Sequence, residues 1–126
     1  MGIDLKAIDR AITKTENFIV ETANKEIRKV AVKVSSSLIF ATPVDTGRAR
    51  SNWYATISSP TNKINNETRD KSGANAIARN NAVISNAKIN NDIFITNNLP
   101  YIGKLNDGHS AQAPAGFVEK ALQAIK

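Results

Sequence analysis

From Asp4 to Phe40 the chain contains neither proline nor glycine, and apolar residues return at Leu5, Ile8, Ile12, Ile19, Ala23, Ile27, Val30, Val34, Leu38 and Ala41. Steps of three and four predict one amphipathic helix. From Ile19 onward the steps average about 3.67 residues, nearer a straight helix than the 3.5-residue repeat of a left-handed coiled coil. At ~1.5 Å per residue such a helix runs roughly 55 Å, whereas a compact domain of this size is about 35–40 Å across. An unbroken helix therefore overhangs the body. Its apolar stripe then needs cover, for which the nearest source is another subunit. Thr15 interrupts the stripe, and a break near Thr13 to Glu16 is the alternative.

Pro43 ends this helix, because proline steers the residue before it, Thr42, away from helical geometry. Val44-Asp45-Thr46-Gly47 reads as a tight turn. After it "RARSNWYATIS" alternates, with Ala49, Ser51, Trp53, Ala55 and Ile57 on one face and Arg48, Arg50, Asn52, Tyr54 and Thr56 on the other. That period predicts a half-buried strand in which Trp53 is a core anchor and Arg48 and Arg50 point outward. "SSPTNKINNETRDKSG" is polar and turn-rich, a long loop or a flexible hairpin tip. Ala74 to Ala87 carries a helical pattern weakened by Asn75, Asn80, Asn81 and Asn86, and Ile93 to Ile95 form a short strand between asparagines. Pro100, Gly103, Gly108, Pro114 and Gly116 punctuate a short helical turn and a loop. Phe117, Val118, Ala121, Leu122 and Ile125 then share one face of a short C-terminal helix.

The expected fold is α+β: a long N-terminal helix packed on a small, mostly antiparallel sheet, with a short C-terminal helix. Residues 1–126 form one domain, divided into the long helix (1–41), turn and strand (42–58), loop (59–73), and a helix, strand, loop and C-terminal helix (74–126). Neither an internal repeat nor a second domain is visible.

Composition refines this picture. Four Phe, two Tyr and one Trp leave a core built mainly from small and branched aliphatic side chains. The chain has no cysteine, which excludes disulfides, thiolate metal sites and a cysteine nucleophile. Charges at Asp4, Lys6, Asp9 and Arg10 argue against a signal peptide, and no apolar window long enough to span a membrane occurs. The net charge is +6. Between Thr46 and Asn90 the cations Arg48, Arg50, Lys63, Arg69, Lys71, Arg79 and Lys88 face only Glu67 and Asp70. An acidic partner, nucleic acid or protein, suits that balance. Two rows of like charge at i, i+4, Lys6-Arg10-Lys14 and Lys25-Lys29-Lys33, are offset in part by Asp9, Glu21 and Glu26, and the remainder is either a solvated face or a hint of an acidic surface alongside the helix.

Candidate chemistry is sparse. His109 is the single histidine, and its neighbours Asp107 and Ser110 are too close in sequence to converge with it as a triad. Metal-ligand spacing and glycine-rich phosphate loops are missing from the sequence. Neither an enzyme nor a cofactor is expected. Binding to DNA would take the form of phosphate contact without base reading, since the basic segment lacks interleaved aromatic residues.

Two segments, "TPVDTGRARSNW" (Thr42 to Trp53) and "NNLPYIGKLNDGHSAQAPAGFVEKAL" (Asn97 to Leu122), follow a long N-terminal helix in that order. In this layout they resemble the tail-completion or neck protein family of tailed bacteriophages, whose members are also called minor tail or head-tail joining proteins. The resemblance implies a structural virion protein, assembled in the host cytoplasm, that forms a homo-oligomeric ring, commonly six-fold, where the tail meets the head. Such a ring contacts the tail terminator on one side and the head-tail connector on the other, with genomic DNA passing through its bore. On this reading Arg48 and Arg50 bond to carboxylates of a neighbouring subunit or of the connector, and the loop Pro100 to Pro114 makes a contact through Tyr101 and His109. The alternatives are a basic, non-enzymatic DNA-binding accessory protein and a minor tail-tube or tip component.

Overall fold

The computed structural model describes residues 2, 4–45, 47–108 and 115–125. Helix α1 runs unbroken over Leu5–Ala41, so the break considered at Thr13 to Glu16 does not occur. Asp4 caps its first turn, accepting a hydrogen bond from the Ala7 N–H at 3.1 Å. At the other end Thr42, immediately before Pro43, is already extended, with φ −68° and ψ 132°.

After a one-turn helix α2 (Arg48–Ser51), strand β1 (Tyr54–Ile57) pairs antiparallel with β2 (Ile93–Thr96), Tyr54 opposite Thr96 and Ile57 opposite Ile93. Between the strands lies α3 (Ala74–Ile84), and beyond β2 come the short helices α4 (Ile102–Asn106) and α5 (Phe117–Gln123). The architecture is thus α+β: a long N-terminal helix, a small two-stranded antiparallel sheet and a short C-terminal helix.

A two-stranded ribbon is marginal by itself. Here α3 lies against β1, while α1 packs on α3 and α5. Leu38, Ile39, Trp53, Ala76, Phe117 and Ala121 form the main core, and Ala31, Ala55 and Ile84 form a smaller one beneath the sheet. Of the residues expected on the inner face of α5, Phe117 and Ala121 are buried whereas Leu122 is exposed.

The expected strand from Arg48 onward is corrected in its first half. Gly47, at φ +86°, turns the chain so that Arg48–Ser51 coil into α2, and the extended backbone begins only at Tyr54. Helix and strand compete here because arginine, alanine and serine alternate as readily as they coil. The close approach of residues 70 and 71 to Gly47 decides between them: a Cβ on Gly47 would lie 2.5 Å from the Asp70 carbonyl carbon and the Lys71 nitrogen.

Only the C-terminal part of α1 is covered by the body. Every residue from Leu5 to Thr22 is exposed, whereas Ala31, Ser35, Leu38 and Ile39 are buried. The first part forms an arm about 27 Å long, at ~1.5 Å per residue.

Candidate functional site

The end of α1 and the turn after it form a compact polar junction. The Trp53 indole N–H donates to the Thr42 hydroxyl at 2.7 Å, and that hydroxyl donates to the Leu38 carbonyl at 2.6 Å. Both polar handles are thereby satisfied inside the core, where leaving either unpaired would be costly. Arg50 closes the junction from outside. Its guanidinium donates from Nε to the Thr42 carbonyl at 3.0 Å, and from its two terminal nitrogens to Lys71 and Phe40 carbonyls, each at 2.9 Å. Carbonyls in the last turn of a helix lack partners within it and carry its negative pole, so a cation is favoured there. Burial lowers the Arg50 pKa from its ordinary value, and the charge of Asp70 partly offsets this. Arg50 therefore folds back on its own chain rather than projecting outward, because helix α2 turns its side chain toward the end of α1.

Arg48 takes the other direction. It bonds to the Asn66 side-chain oxygen and places its guanidinium 5.4 Å from the centroid of the Tyr101 ring. Arg48 and Tyr101, far apart in sequence, thus come together in one half-buried surface. His109 lies outside the described residues, as does Pro114 at the end of the same loop. Trp53 is buried in the main core.

Further along the basic segment, Arg79 stacks 3.9 Å from the centroid of the Tyr54 ring and donates to the Trp53 carbonyl at 2.5 Å and the Ser51 carbonyl at 3.3 Å. Burial lowers its pKa, and Tyr54 partly offsets the effect. Lys63 approaches the same ring at 5.2 Å. Arg48, Arg50 and Arg79 therefore all serve contacts within the chain, and the basic middle offers fewer cations to a partner than its composition implies.

Several residues that organise this region carry no signal in the hydropathy pattern. Buried Asn52 donates to the Asn65 carbonyl and accepts from the Asn65 N–H, both at 2.8 Å, which fastens the Ser58–Gly73 loop to the turn after α1. Asn98 donates to the Thr61 carbonyl of the same loop at 2.8 Å. Asn80 accepts from the Ala55 N–H at 3.1 Å and donates to the Trp53 carbonyl at 2.9 Å and the Ser35 hydroxyl at 3.0 Å. These amides tie α1, α3 and β1 together. The density of asparagine between residues 62 and 98 was the available sign, but asparagine marks solvated loops as readily as buried links.

Asp70 lies in the loop that leads into α3. Its carboxylate accepts from the Ser72 hydroxyl at 2.6 Å and the Asn75 N–H at 2.8 Å, and these bonds, the first above all, lower its pKa below the ordinary carboxylate value.

Two grooves flank α1. One, between α1 and α3, has an apolar floor of Val32 and Ile84, cations Lys25, Arg28, Lys29 and Lys33 along its α1 side, and a volume of about 510 Å³. The other, between α1 and β2, is lined by Ile27, Val30, Val34, Ile93 and Ile95, with Asp92 at its rim, and holds about 310 Å³. Among the described residues no group of His, Cys, Asp or Glu is arranged to hold a metal ion, and no helix is long and apolar enough to cross a membrane.

Comparison with protein-family models, with curated proteins and with solved structures finds no match to this chain.

Proposed function

We propose that this protein is a structural component of a tailed-phage virion, a self-assembling neck protein that completes the tail end and joins it to the head connector. The observation that carries the reading is the arm: a helix that leaves its own body with Leu5, Ile8, Ile12, Phe18 and Ile19 exposed. A solvated arm this rich in apolar side chains suits a protein whose working form is an assembly. The likeness of Thr42 to Trp53 and of Asn97 to Leu122 to neck proteins supplies the kind of assembly.

The junction narrows the proposed contacts. Arg48 and Tyr101 share a surface and stand as the interface pair toward a neighbouring subunit or the connector, whereas Arg50 acts within the chain to fix the end of α1. The bonding of Arg50 and Arg79 weakens the case for a free DNA-binding protein, because both are engaged internally.

The test is electron microscopy of phage lysates in which the gene is switched off. Accumulation of DNA-filled heads beside complete, detached tails is the expected result. Joined particles of normal appearance would overturn the neck role and make salt-dependent DNA binding the next measurement.

A further inference from the structure

At about 100° per residue along a helix, Leu5, Ile8, Ile12, Ile19 and Val30 fall within a sector of roughly 60°. Ala31, Ser35, Leu38 and Ile39, which face the core, centre about 130° away round the same helix. The exposed stripe adjoins the core-facing sector, whose edge is marked by Val34 and Ala41 packed against the core, and in the arm it has nothing to cover it. All five stripe residues are at least 48% exposed, Ile8 being the least. Within the arm the charges bordering the stripe are Asp9 and Glu16, while Lys6, Arg10 and Lys14 project toward the opposite side. The arm thus presents an apolar ridge with an acidic edge.

The groove between α1 and α3 has the complementary character. Val32 and Ile84 supply its floor, and Lys25, Lys29 and Lys33 stand exposed at i, i+4 spacing along it, a row whose mutual repulsion Glu21 and Glu26 on the same helix offset only in part. Arg28, on the same side, is held by a bond from Nε to the Ala87 carbonyl at 2.7 Å, which leaves the three lysines as the adaptable charges. Asn81 also lines this groove, and its side-chain oxygen is buried without a hydrogen-bond partner. The groove between α1 and β2 is apolar too, but Asp92 at its rim would set like charge against Asp9 and Glu16.

We propose that the arm of one copy lies in the α1–α3 groove of a second copy, its apolar ridge on Val32 and Ile84 and its acidic edge along Lys25, Lys29 and Lys33. The arm cannot reach this groove in its own chain, because α1 is unbroken and carries the arm straight away from the body. The contact is therefore between subunits. It rests on the self-association within the function proposed above, and it names the surfaces that make it. Burial of the ridge supplies most of the affinity, and the charges set the orientation.

The test is sedimentation velocity on the full chain and two charge reversals, one in the arm (Asp9→Lys with Glu16→Lys) and one in the groove (Lys25→Glu, Lys29→Glu and Lys33→Glu). All five residues are exposed, so the fold is retained, and circular dichroism checks this. The wild type is expected to self-associate, each reversal to weaken association about tenfold or more, and an equimolar mixture of the two variants to recover it, since the mixture restores opposite charges across one contact. Wild-type association that neither reversal changes would overturn the arm-groove contact and leave self-assembly standing. Loss from both variants without recovery on mixing would likewise overturn the pairing of these two surfaces. A wild type that stays monomeric at high concentration would overturn self-assembly and this contact together.

Discussion

The two ends of α1 belong to one continuous helix and live in opposite surroundings. Toward the C-terminus Ile39 is completely buried, Thr42 is satisfied on both sides of its hydroxyl, and Arg50 seals the last carbonyls. Toward the N-terminus every side chain from Leu5 to Thr22 is exposed in the single subunit. An isolated helix of that length is marginal in water. The arm stays helical because the covered end nucleates it and Asp4 caps it. Stability and exposed apolar surface are thus divided between the two ends, and substitutions should divide in the same way.

The sharpest contrast comes from truncating isoleucines. Ile39→Ala, in the fully buried part, should cost about 2–5 kcal/mol in a denaturant titration of the monomer. A loss much smaller than this would mean that the junction at the end of α1 is loosely packed.

Gly47→Ala tests whether the junction depends on the close passage of the 58–73 loop. The new methyl would meet backbone at 2.5 Å in a left-handed conformation, so a loss of about 3 kcal/mol is expected. A neutral outcome would show that Asp70 and Lys71 can move away freely.

Asn80→Ala removes three hydrogen bonds that link α1, α3 and β1, leaving the buried Ala55 N–H without its partner. A loss of about 1–3 kcal/mol is expected in the same titration, with a lower melting temperature.

Asp70 gives a smaller, pH-dependent effect. Its folded pKa is lowered from the ordinary 3.8, so its stabilising contribution is present above that value and is lost as pH falls through the lower folded value. Melting temperatures of wild type and Asp70→Asn should therefore differ at neutral pH and converge in strong acid. Parallel profiles would show that the carboxylate charge contributes nothing.

The least effect is expected from Ile12→Ala. In the monomer it should stay within about 0.5 kcal/mol of wild type. A core-sized loss would mean that the arm folds back onto its own body, which would erase the distinction between the two ends.

Much of the scaffold was legible from the sequence for identifiable reasons. Periodicity free of proline and glycine carried α1 up to Pro43, and the apolar triplet at Ile93 to Ile95 marked β2. The segment Arg48 to Asn52 was not, because its residues satisfy a two-residue period and a helical turn equally well. The choice falls to Gly47 and to a stretch of backbone more than twenty residues later. Arg50 was misplaced for the same reason, since its direction follows from α2. Asn52, Asn80 and Asn98 escaped because buried amides obey no period and their partners lie far along the chain. The arm was readable as an overhang, but not the angular offset between its ridge and the buried face, which emerges only when burial is mapped onto the helix.

The clasp of Arg50 on the Phe40, Thr42 and Lys71 carbonyls has a mechanical meaning. The arm is a cantilever, and its root lies where the body grips α1. With Leu5 about 39 Å from Ala31 along the helix axis, a tilt of 10° at the root swings the tip by roughly 7 Å, more than one helical turn. Loosening a bond at the clasp would thus blur the aim of a surface far away while leaving that surface chemically intact.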